Sequence, residues 1–175
     1  MLIELERLSA LHRYLMRKAA SEGGLQMVHL EILYYLAQCN RYSNTTQALA
    51  DYLGQTKGSI SQSLTVLEGK KLIRRVQDAK DLRVFHLLLT SDGRSAVDRV
   101  RQIFGSEQAV PEALRLALES LLRNLQRHHG LKSFGICATC RFHQQLESGK
   151  YRCGLTQENL DAHERTQICR EHDPE

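Results

Sequence analysis

The sequence predicts a mainly helical α+β protein in which one short β-hairpin interrupts a series of helices. Apolar residues recur at helical spacing along most of the 175 residues, whereas only residues 72–89 contain a pair of β-like segments. The chain has two prolines and 6% aromatic residues, which also favours helix. With 42% hydrophobic and 25% charged residues, it has the composition of a globular domain with room for an appendage.

The first three predicted helices occupy the N-terminal third of the chain. A helix over residues 2–18 presents leucines at helical spacing, namely Leu5, Leu8, Leu11 and Leu15. A second helix is predicted over residues 27–39. Thr45 or Thr46 then caps a short third helix, which Gly54 closes.

A fourth helix is predicted over residues 57–68, with one apolar and one small polar face. At about 100° per residue, the apolar stripe consists of Ile60, Leu64 and Leu67. The opposite face lacks the Glu/Lys pairs of a merely solvated helix and contains Gly58, Ser61, Gln62 and Thr65. The turn Gly54-Gln55-Thr56 joins the third and fourth helices, so the pair has a helix-turn-helix pattern.

The β-hairpin follows directly and precedes two further helices. Its strands are predicted over residues 72–76 and 84–89, with a charged tip between them. One helix then starts after Thr90, and a long amphipathic helix follows Pro111. Helices that surround a helix-turn-helix and one hairpin form a winged helix, which we predict for residues 1–130.

The helices at the two ends of this predicted domain have broader leucine faces than a domain of this size can cover. The last helix presents Leu114, Leu118, Leu121, Leu122 and Leu125. Pairing both end helices across a two-fold axis would bury these faces. We therefore predict a homodimer with dimerisation helices at both ends, and its symmetry suits a palindromic site in double-stranded DNA.

Basic charge is concentrated around the helix-turn-helix and the hairpin. The net charge is +4, but residues 54–83 alone contain seven basic and three acidic side chains. Residues 131–175 contain six basic and seven acidic ones. A local basic excess is typical of a phosphate-binding surface, although a solvated face has the same composition.

The hairpin sequence makes the prediction more specific. The tip Asp78-Ala79-Lys80-Asp81-Leu82-Arg83 and the following Leu89-Thr90-Ser91-Asp92-Gly93 resemble the wing signature of the MarR family of bacterial regulators. The resemblance covers about residues 2–129. It implies a triangular dimer formed by the first and last helices, with each recognition helix in a major groove and each wing in a minor groove. Two positions depart from the family pattern, because Lys71 stands where a glycine is common and Leu82 where the wing often has a second arginine.

The winged-helix interpretation assigns DNA contacts to ten residues. Short or amide side chains on the polar face of the fourth helix suit base edges, and Gln62 can pair bidentately with adenine. Basic side chains would hold phosphates without reading sequence, whereas Arg83 would enter the minor groove and Asp81 would hold it in place. The predicted DNA-binding residues are Lys57, Gly58, Ser59, Ser61, Gln62, Thr65, Lys71, Arg74, Arg75 and Arg83.

Four of the five cysteines lie in the last 39 residues, in the pattern Cys137-x2-Cys140-x12-Cys153-x15-Cys169. In a protein of the cytoplasm, such clustering indicates a shared metal or cluster rather than disulfides. We therefore predict a cysteine-rich metal- or cluster-binding extension over residues 131–175. Cys39 stands alone in an apolar segment and is interpreted as a core residue. His143 and His172 could substitute as ligands but are interpreted as ordinary surface histidines.

The spacing leaves the nature of the centre open between an iron–sulfur cluster and zinc. Zinc sites usually contain two close cysteine pairs, whereas here only Cys137 and Cys140 form one. One close pair with isolated further cysteines also suits an iron–sulfur cluster, which we favour. Loss of a cluster would release residues 131–175 and shift the preceding dimer helix. DNA affinity would then respond to oxidants, nitric oxide or iron supply.

Alternative functions start from the same cysteines. A structural zinc could hold the extension together while a small phenolic or lipophilic ligand acts as inducer. The extension could instead dock a protein. The pair Cys137-Ala138-Thr139-Cys140 could also belong to a thiol redox enzyme, but it lacks the strand-to-helix setting of such enzymes.

The remaining features favour a regulator rather than an enzyme. The sequence offers no nucleophile–base pair and no phosphate-cradling loop, so we predict a transcriptional regulator, in this family most often a repressor. No apolar run approaches the roughly 18 residues of a membrane span. The N-terminal sequence is too acidic for a signal peptide, so we expect a cytoplasmic protein without a membrane partner.

Overall fold

The computed structural model describes residues 3–104, 110–147 and 149–174. Within them the chain forms six α-helices, a two-stranded hairpin and a small three-stranded sheet. In chain order the elements are α1 (Ile3–Glu22), α2 (Met27–Leu36), α3 (Thr46–Leu53), α4 (Lys57–Gly69), β1 (Ile73–Gln77), β2 (Phe85–Leu89), α5 (Ser91–Phe104), α6 (Glu112–His128), β3 (His143–Gln145), β4 (Tyr151–Cys153) and β5 (Asn159–Leu160). The predicted winged helix-turn-helix, mainly α with one hairpin wing, is confirmed.

The chain forms two compact units, each assembled from two segments. The first contains the described residues of Met1–Ala37 and Thr56–Glu107, and the second those of Gln38–Gln55 and Gln108–Glu175. Helix α4 and the hairpin therefore belong to the first unit, whereas α3 belongs to the second together with all four clustered cysteines. The division into domains at residue 130 stays a prediction.

The core of the first unit forms around α2, which packs against α1, α4, α5 and β2. Helix α2 is apolar along most of its length, and six of its ten residues are buried. Helix α4 contributes the predicted apolar stripe, since Ile60, Leu64 and Leu67 are fully buried. Burial of one such side chain stabilises the fold by roughly 1.5–3 kcal/mol, so this stripe fixes which face of α4 remains outside.

The hairpin is locked to α5 by the residues that follow β2. Strands β1 and β2 are antiparallel, with Ile73 opposite Leu89 at the base. The Gly93 N–H donates to Thr90 Oγ1 at 3.1 Å, and the Thr90 N–H donates to the Leu72 carbonyl oxygen at 3.1 Å. A Cβ at Gly93 would lie 2.1 Å from that oxygen. The Leu-Thr-x-x-Gly sequence is therefore required by the close approach of α5 to the start of the wing.

Two helix ends differ from the prediction. Helix α1 continues to Glu22 instead of ending near Lys18. Helix α2 ends at Leu36, because Cys39 leaves the helix and forms a parallel β-bridge with Ile168. The local sequence remains apolar up to Cys39, so the early end depends on a partner far along the chain.

We refer to the described residues of 131–174 as the cysteine module. Its strands β3, β4 and β5 are antiparallel neighbours of only two or three residues each, with His143 opposite Cys153. Two of its glycines are required by the backbone or by packing: Gly149 has φ +71°, and a Cβ at Gly135 would lie 2.4 Å from the His172 ring. With so little regular structure, the module relies on specific side-chain contacts.

Apolar faces of α1 and α6 remain exposed in the single chain. None of the residues of α6 is buried, and its exposed leucines are Leu114, Leu116, Leu118, Leu122 and Leu125. Helix α1 exposes Ile3, Leu8, Leu11 and Tyr14. Exposed apolar faces of this extent mark interaction surfaces. Among the described helices, none is long and apolar enough to cross a membrane.

Candidate DNA-binding surface and cysteine-lined cavity

Helix α4 presents a small polar face to solvent. Thr56 caps its start, and the Thr56 hydroxyl oxygen accepts the Ser59 N–H at 3.2 Å. Because Ile60, Leu64 and Leu67 are buried, the opposite face lies outside and consists of short or amide side chains. All ten residues predicted to bind DNA are exposed. Their contact with DNA stays a prediction.

The wing tip holds Arg83 in a defined geometry. Its Nε and Nη2 atoms donate to the two carboxylate oxygens of Asp81, each at 3.0 Å, while the side chain remains 90% exposed. The Asp78 carboxylate accepts the N–H groups of Lys80 and Asp81 at 2.8 Å and pairs with His86 Nε2 at 2.9 Å. These contacts, the one with His86 first, lower the pKa of Asp78 to about 2. The tip is thus preorganised before it meets a ligand.

Two of the predicted phosphate contacts have particular surroundings. Lys71 has φ +58°, a left-handed conformation that favours glycine. The resemblance noted in the sequence has a glycine at this position, so here a lysine side chain stands on a left-handed backbone. The Arg75 Nε atom lies 3.0 Å from Glu68 Oε2, so a phosphate that bound Arg75 would have to displace this partner.

The four clustered cysteines line one small cavity in the second unit, and all four are free thiols. The cavity measures about 30 Å³. A single water needs roughly 10–15 Å³ on that scale, so the space exceeds one atom of that size. Much of the remaining wall is apolar or aromatic, including Tyr42, Phe142, Leu155 and Leu160. The structure thus brings together the residues that the spacing singled out, and binding of a metal or cluster stays a prediction.

The cysteines surround the cavity instead of converging on one point. Among the described residues, no three His, Cys, Asp or Glu side chains form a group that could hold a metal ion. Four sulfurs bound to one zinc at about 2.3 Å would have to lie within roughly 4 Å of each other. Burial, followed by the neighbouring Cys169, Cys153 and Cys140, raises the pKa of Cys137 to about 12. The choice between a multi-atom centre and a single ion stays a prediction.

The Cys137–Cys140 pair does not have the setting of a redox-active thiol pair, and Cys137 does not have the lowered pKa of a reactive thiol. Cys137–Thr139 forms a single 3₁₀ turn rather than the junction between a strand and a helix. Reactive thiols have a lowered pKa, whereas the pKa of Cys137 is raised. The geometry therefore gives no support to the thiol enzyme alternative.

Two histidines of the module, His143 and His172, are not ordinary surface histidines. His172 is 7% exposed, and its ring nitrogens lie 2.7 Å from Ser133 Oγ and 3.0 Å from Thr139 Oγ1. His143 lines the cavity, but the Arg165 Nε–H donates to its Nε2 atom at 3.2 Å. Both nitrogens of His172 and one of His143 are therefore engaged within the module, which corrects the interpretation from the sequence.

Two residues that the sequence analysis missed lie next to Cys169. Asn40 lines the cavity, and the Ser43 hydroxyl donates to Asn40 Oδ1 at 2.8 Å. The two side chains are 2% and 0% exposed, and they lower the pKa of Cys169 against the larger effect of burial, which raises it. Hydrogen bonds to sulfur stabilise thiolate charge and tune the potential of a cluster. No sequence signal marks either residue, because their role depends on a fold contact with a distant cysteine.

Comparisons with known proteins agree with the winged-helix fold. Residues 24–84 match the model of the MarR family, a segment that runs from just before α2 into the wing. The matched segment contains the helix-turn-helix and the first wing strand, and it ends at the tip residues that carry the resemblance. No curated protein matches the sequence.

Solved structures show the same fold. A transcriptional regulator designated PA3341 is 26% identical with a TM-score of 0.59, and the alignment covers 72% of this chain and 96% of that one. CouR from Rhodococcus jostii RHA1, bound to p-coumaroyl-CoA, is 21% identical with a TM-score of 0.58 and coverages of 69% and 87%. A MepR mutant from S. aureus, bound to an oligodeoxyribonucleotide, is 22% identical with a TM-score of 0.50 and coverages of 71% and 94%.

Proposed function

We propose that the protein is a homodimeric MarR-type transcriptional regulator, a repressor, which binds a palindromic site in double-stranded DNA in the cytoplasm. We further propose that its DNA affinity is controlled by an iron–sulfur centre. The predicted ligands of that centre are Cys137, Cys140, Cys153 and Cys169.

The observation that carries the DNA-binding proposal is the face of α4 opposite its buried stripe. An exposed helix surface of short and amide side chains can approach base edges closely. Basic residues flank it, with Lys57 at its start and Lys71 and Arg74 just beyond its end. Support from relatives comes from the family match and from the DNA-bound MepR structure.

The exposed apolar faces of α1 and α6 support the homodimer. A helix of 17 residues without a single buried side chain gains little from folding as a monomer. A second copy offers an identical leucine face, so the pairing is self-complementary, as a two-fold interface requires.

The cavity ringed by four thiols supports the iron–sulfur centre. Such a cluster is usually held by four cysteine thiolates, and its potential depends on burial and on hydrogen bonds to sulfur. When bound, it supplies a charge that responds to oxidation and a site that oxidants can dismantle. The chain's own contribution is to gather the four thiols along one cavity and to place Asn40 and Ser43 next to Cys169.

A second candidate keeps the regulator and assigns a structural zinc to the cysteines, with a small phenolic ligand as inducer. It is favoured by CouR, whose structure contains p-coumaroyl-CoA, the thioester of a phenolic acid. In this case the cysteine module would be constitutive, and metal loss would act through unfolding alone.

The first experiment separates the two candidates. Protein purified without oxygen is analysed for iron, sulfide and zinc, and its binding to promoter DNA and to random DNA is titrated at several salt concentrations. A brown protein with iron and sulfide, whose DNA affinity changes as the colour bleaches in air, supports the first candidate. A colourless protein with zinc supports the second. Equal affinity for both DNAs would refute the regulator itself.

Two variants test the assigned DNA surface. Gln62→Ala should weaken binding to the specific site by about tenfold and leave random DNA unaffected, because a bidentate base contact is worth roughly 1–3 kcal/mol. Lys57→Ala, the matched control, should weaken binding to both DNAs and reduce the salt dependence by about one phosphate contact. If Gln62→Ala weakens both DNAs equally, Gln62 does not read bases.

A further inference from the structure

The cysteine module is hydrogen-bonded to the backbone that leads into α3. The Asn40 N–H donates to the Ile168 carbonyl oxygen at 2.9 Å, and the Ile168 N–H donates to the Gln38 carbonyl oxygen at 2.8 Å. Ile168 directly precedes Cys169, one of the cavity cysteines. The position of this cysteine is therefore tied to residues 38–40 through paired backbone groups.

The residue after Cys169 is bonded to the same segment and to α3 itself. The Arg170 N–H donates to Ser43 Oγ at 2.8 Å. The Arg170 Nε and Nη2 atoms each lie 2.7 Å from Asp51 Oδ2, and Asp51 is within α3. Both side chains are about three-quarters buried, so solvent screens this pair less than a surface ion pair.

A second group of contacts joins the rest of the module to the loop before α3. Arg41 Nη1 lies 3.0 Å from Glu164 Oε1, and the Tyr42 hydroxyl donates to Glu158 Oε2 at 2.9 Å. Thr156 Oγ1 donates to the Tyr42 hydroxyl oxygen at 3.2 Å. The segment before α3 is thus held at several points by residues between Cys153 and Cys169.

From these contacts we infer that the cysteine centre controls DNA binding by clamping α3, the first helix of the helix-turn-helix, through Asp51 and Arg170. This inference rests on the proposed function, since it assigns the route by which the centre acts on DNA affinity. The clamp comprises Asn40, Ser43, Asp51, Ile168 and Arg170. Helix α4 starts three residues after α3 ends, so a change in α3 reaches the DNA-binding helix along the shortest stretch of chain.

The physical basis is the shared position of Cys169. With a centre bound, Cys169 is fixed, and Arg170 and Ile168 on either side of it hold the segment 38–51. Without the centre, the four cavity thiols lose the atom group that orders them, and the short strands of the module offer little other support. Release of Arg170 then leaves Asp51 without its guanidinium partner, and α3 loses this contact with the module. The sequence predicted a route through α6, whereas the hydrogen bonds of Ile168 and Arg170 lead to the segment before α3 and to α3 itself.

The test compares DNA affinity with the centre intact and after its removal by ferricyanide and a chelator, in full-length protein purified without oxygen. In the wild type, removal should weaken binding within the roughly 5–150-fold range of allosteric couplings. Asp51→Asn and Arg170→Gln should retain the centre but bind DNA as the centre-free wild type does. Removal should then change their affinity little.

The matched control is Arg141→Gln, which also removes a guanidinium next to a cavity cysteine. Arg141 pairs with Asp173 at 2.6 Å inside the module and has no such contact with the segment 38–51 among the bonds of the described residues. It should keep the wild-type response. Hydrogen exchange gives an independent readout, because exchange in residues 38–53 should accelerate when the centre is removed from the wild type.

The outcomes separate this inference from the proposed function. If the wild type loses no affinity when its centre is removed, the proposed control of DNA binding fails. If the wild type responds and Asp51→Asn, which lies outside the module, responds equally with its centre intact, the clamp is refuted. Unchanged exchange in residues 38–53 would refute it as well, even if Arg170→Gln fails to assemble the centre.

Discussion

The region that faces DNA and the cysteine module reach a defined structure by different means. In the first unit, α4 is anchored by Ile60, Leu64 and Leu67 in an aliphatic core. In the module, strands of two or three residues surround a small cavity, and Glu164 and His172 are among the few buried residues. Small segments with so little apolar core usually need a metal or a disulfide. From this comparison we expect the recognition region to stay folded without the module, and the module to depend on the proposed centre.

The largest effect is expected from removing one cavity cysteine. Cys153→Ala should abolish most iron and sulfide binding. Loss of an outer-shell partner already lowers metal affinity by about 10–100-fold, and loss of a ligand should lower it further. The module should then exchange its amide hydrogens rapidly, whereas amides of α2 and α4 stay protected. Iron analysis and hydrogen exchange measure both effects.

Cys39→Ala is the matched control for this variant. Cys39 is 5% exposed and lies beside the cavity segment, but it does not line the cavity. The variant should keep its iron and lose only the roughly 1 kcal/mol typical of a small buried deletion. If both variants lose iron equally, the four-cysteine assignment is wrong. If Cys153→Ala also unfolds α2 and α4, the recognition region is not independently stable.

A medium effect is expected from filling the close contact between the wing and α5. Gly93→Ala places a Cβ 2.1 Å from the Leu72 carbonyl oxygen, so backbone must move, and we expect a loss of about 3 kcal/mol in the free energy of unfolding. Iron content should remain unchanged, because the contact lies in the first unit. Denaturant unfolding and iron analysis on the same sample measure the two quantities.

Gly69→Ala is the control for Gly93→Ala. A Cβ there meets no atom within 4 Å, so the change should be neutral or stabilising by at most about 1 kcal/mol. Equal losses for the two variants would mean that the contact between Gly93 and Leu72 does not constrain the wing. Iron loss in Gly93→Ala would show that the module depends on the wing.

The recognition region was predictable because its determinants are local. Thr45 caps the start of α3 and Gly54 caps its end, as expected. Ile60 and Leu67 are buried as the helical period requires, and Asp81 accepts hydrogen bonds from Arg83. Each of these follows from residues a few positions apart. The Leu-Thr-x-x-Gly motif of the wing is also recognisable from adjacent residues, although the contact that requires Gly93 is with Leu72.

The site in the cysteine module was predictable only in part. The spacing indicated that the four cysteines share a site, and they line one cavity. The contacts of Asn40, Ser43 and Asp51 with Cys169 and Arg170 were not predictable, because they join segments more than a hundred residues apart. The β-bridge between Cys39 and Ile168 is also non-local, and α2 ends before it although the largely apolar sequence predicted helix as far as Cys39. Non-local hydrogen bonds leave no periodic trace in a single sequence.

The smallest effect concerns the one basic residue of the DNA-facing region that sits on a strained backbone. Lys71→Gly should raise the free energy of unfolding by roughly 0.5–1 kcal/mol. Glycine adopts φ +58° without the steric cost that a side chain incurs, and this gain exceeds the stability lost because glycine adds entropy to the unfolded chain. It should also reduce the salt dependence of DNA binding by about one phosphate contact. Lys70→Gly, the control, removes the same charge from the neighbouring residue at φ −81° and should not stabilise. A Lys71→Gly protein that gains no stability over wild type would show that the surroundings already relieve this strain. If Lys71→Gly gains stability and keeps the full salt dependence, Lys71 does not contact a phosphate, and Lys57 and Arg74 remain the candidates for that role.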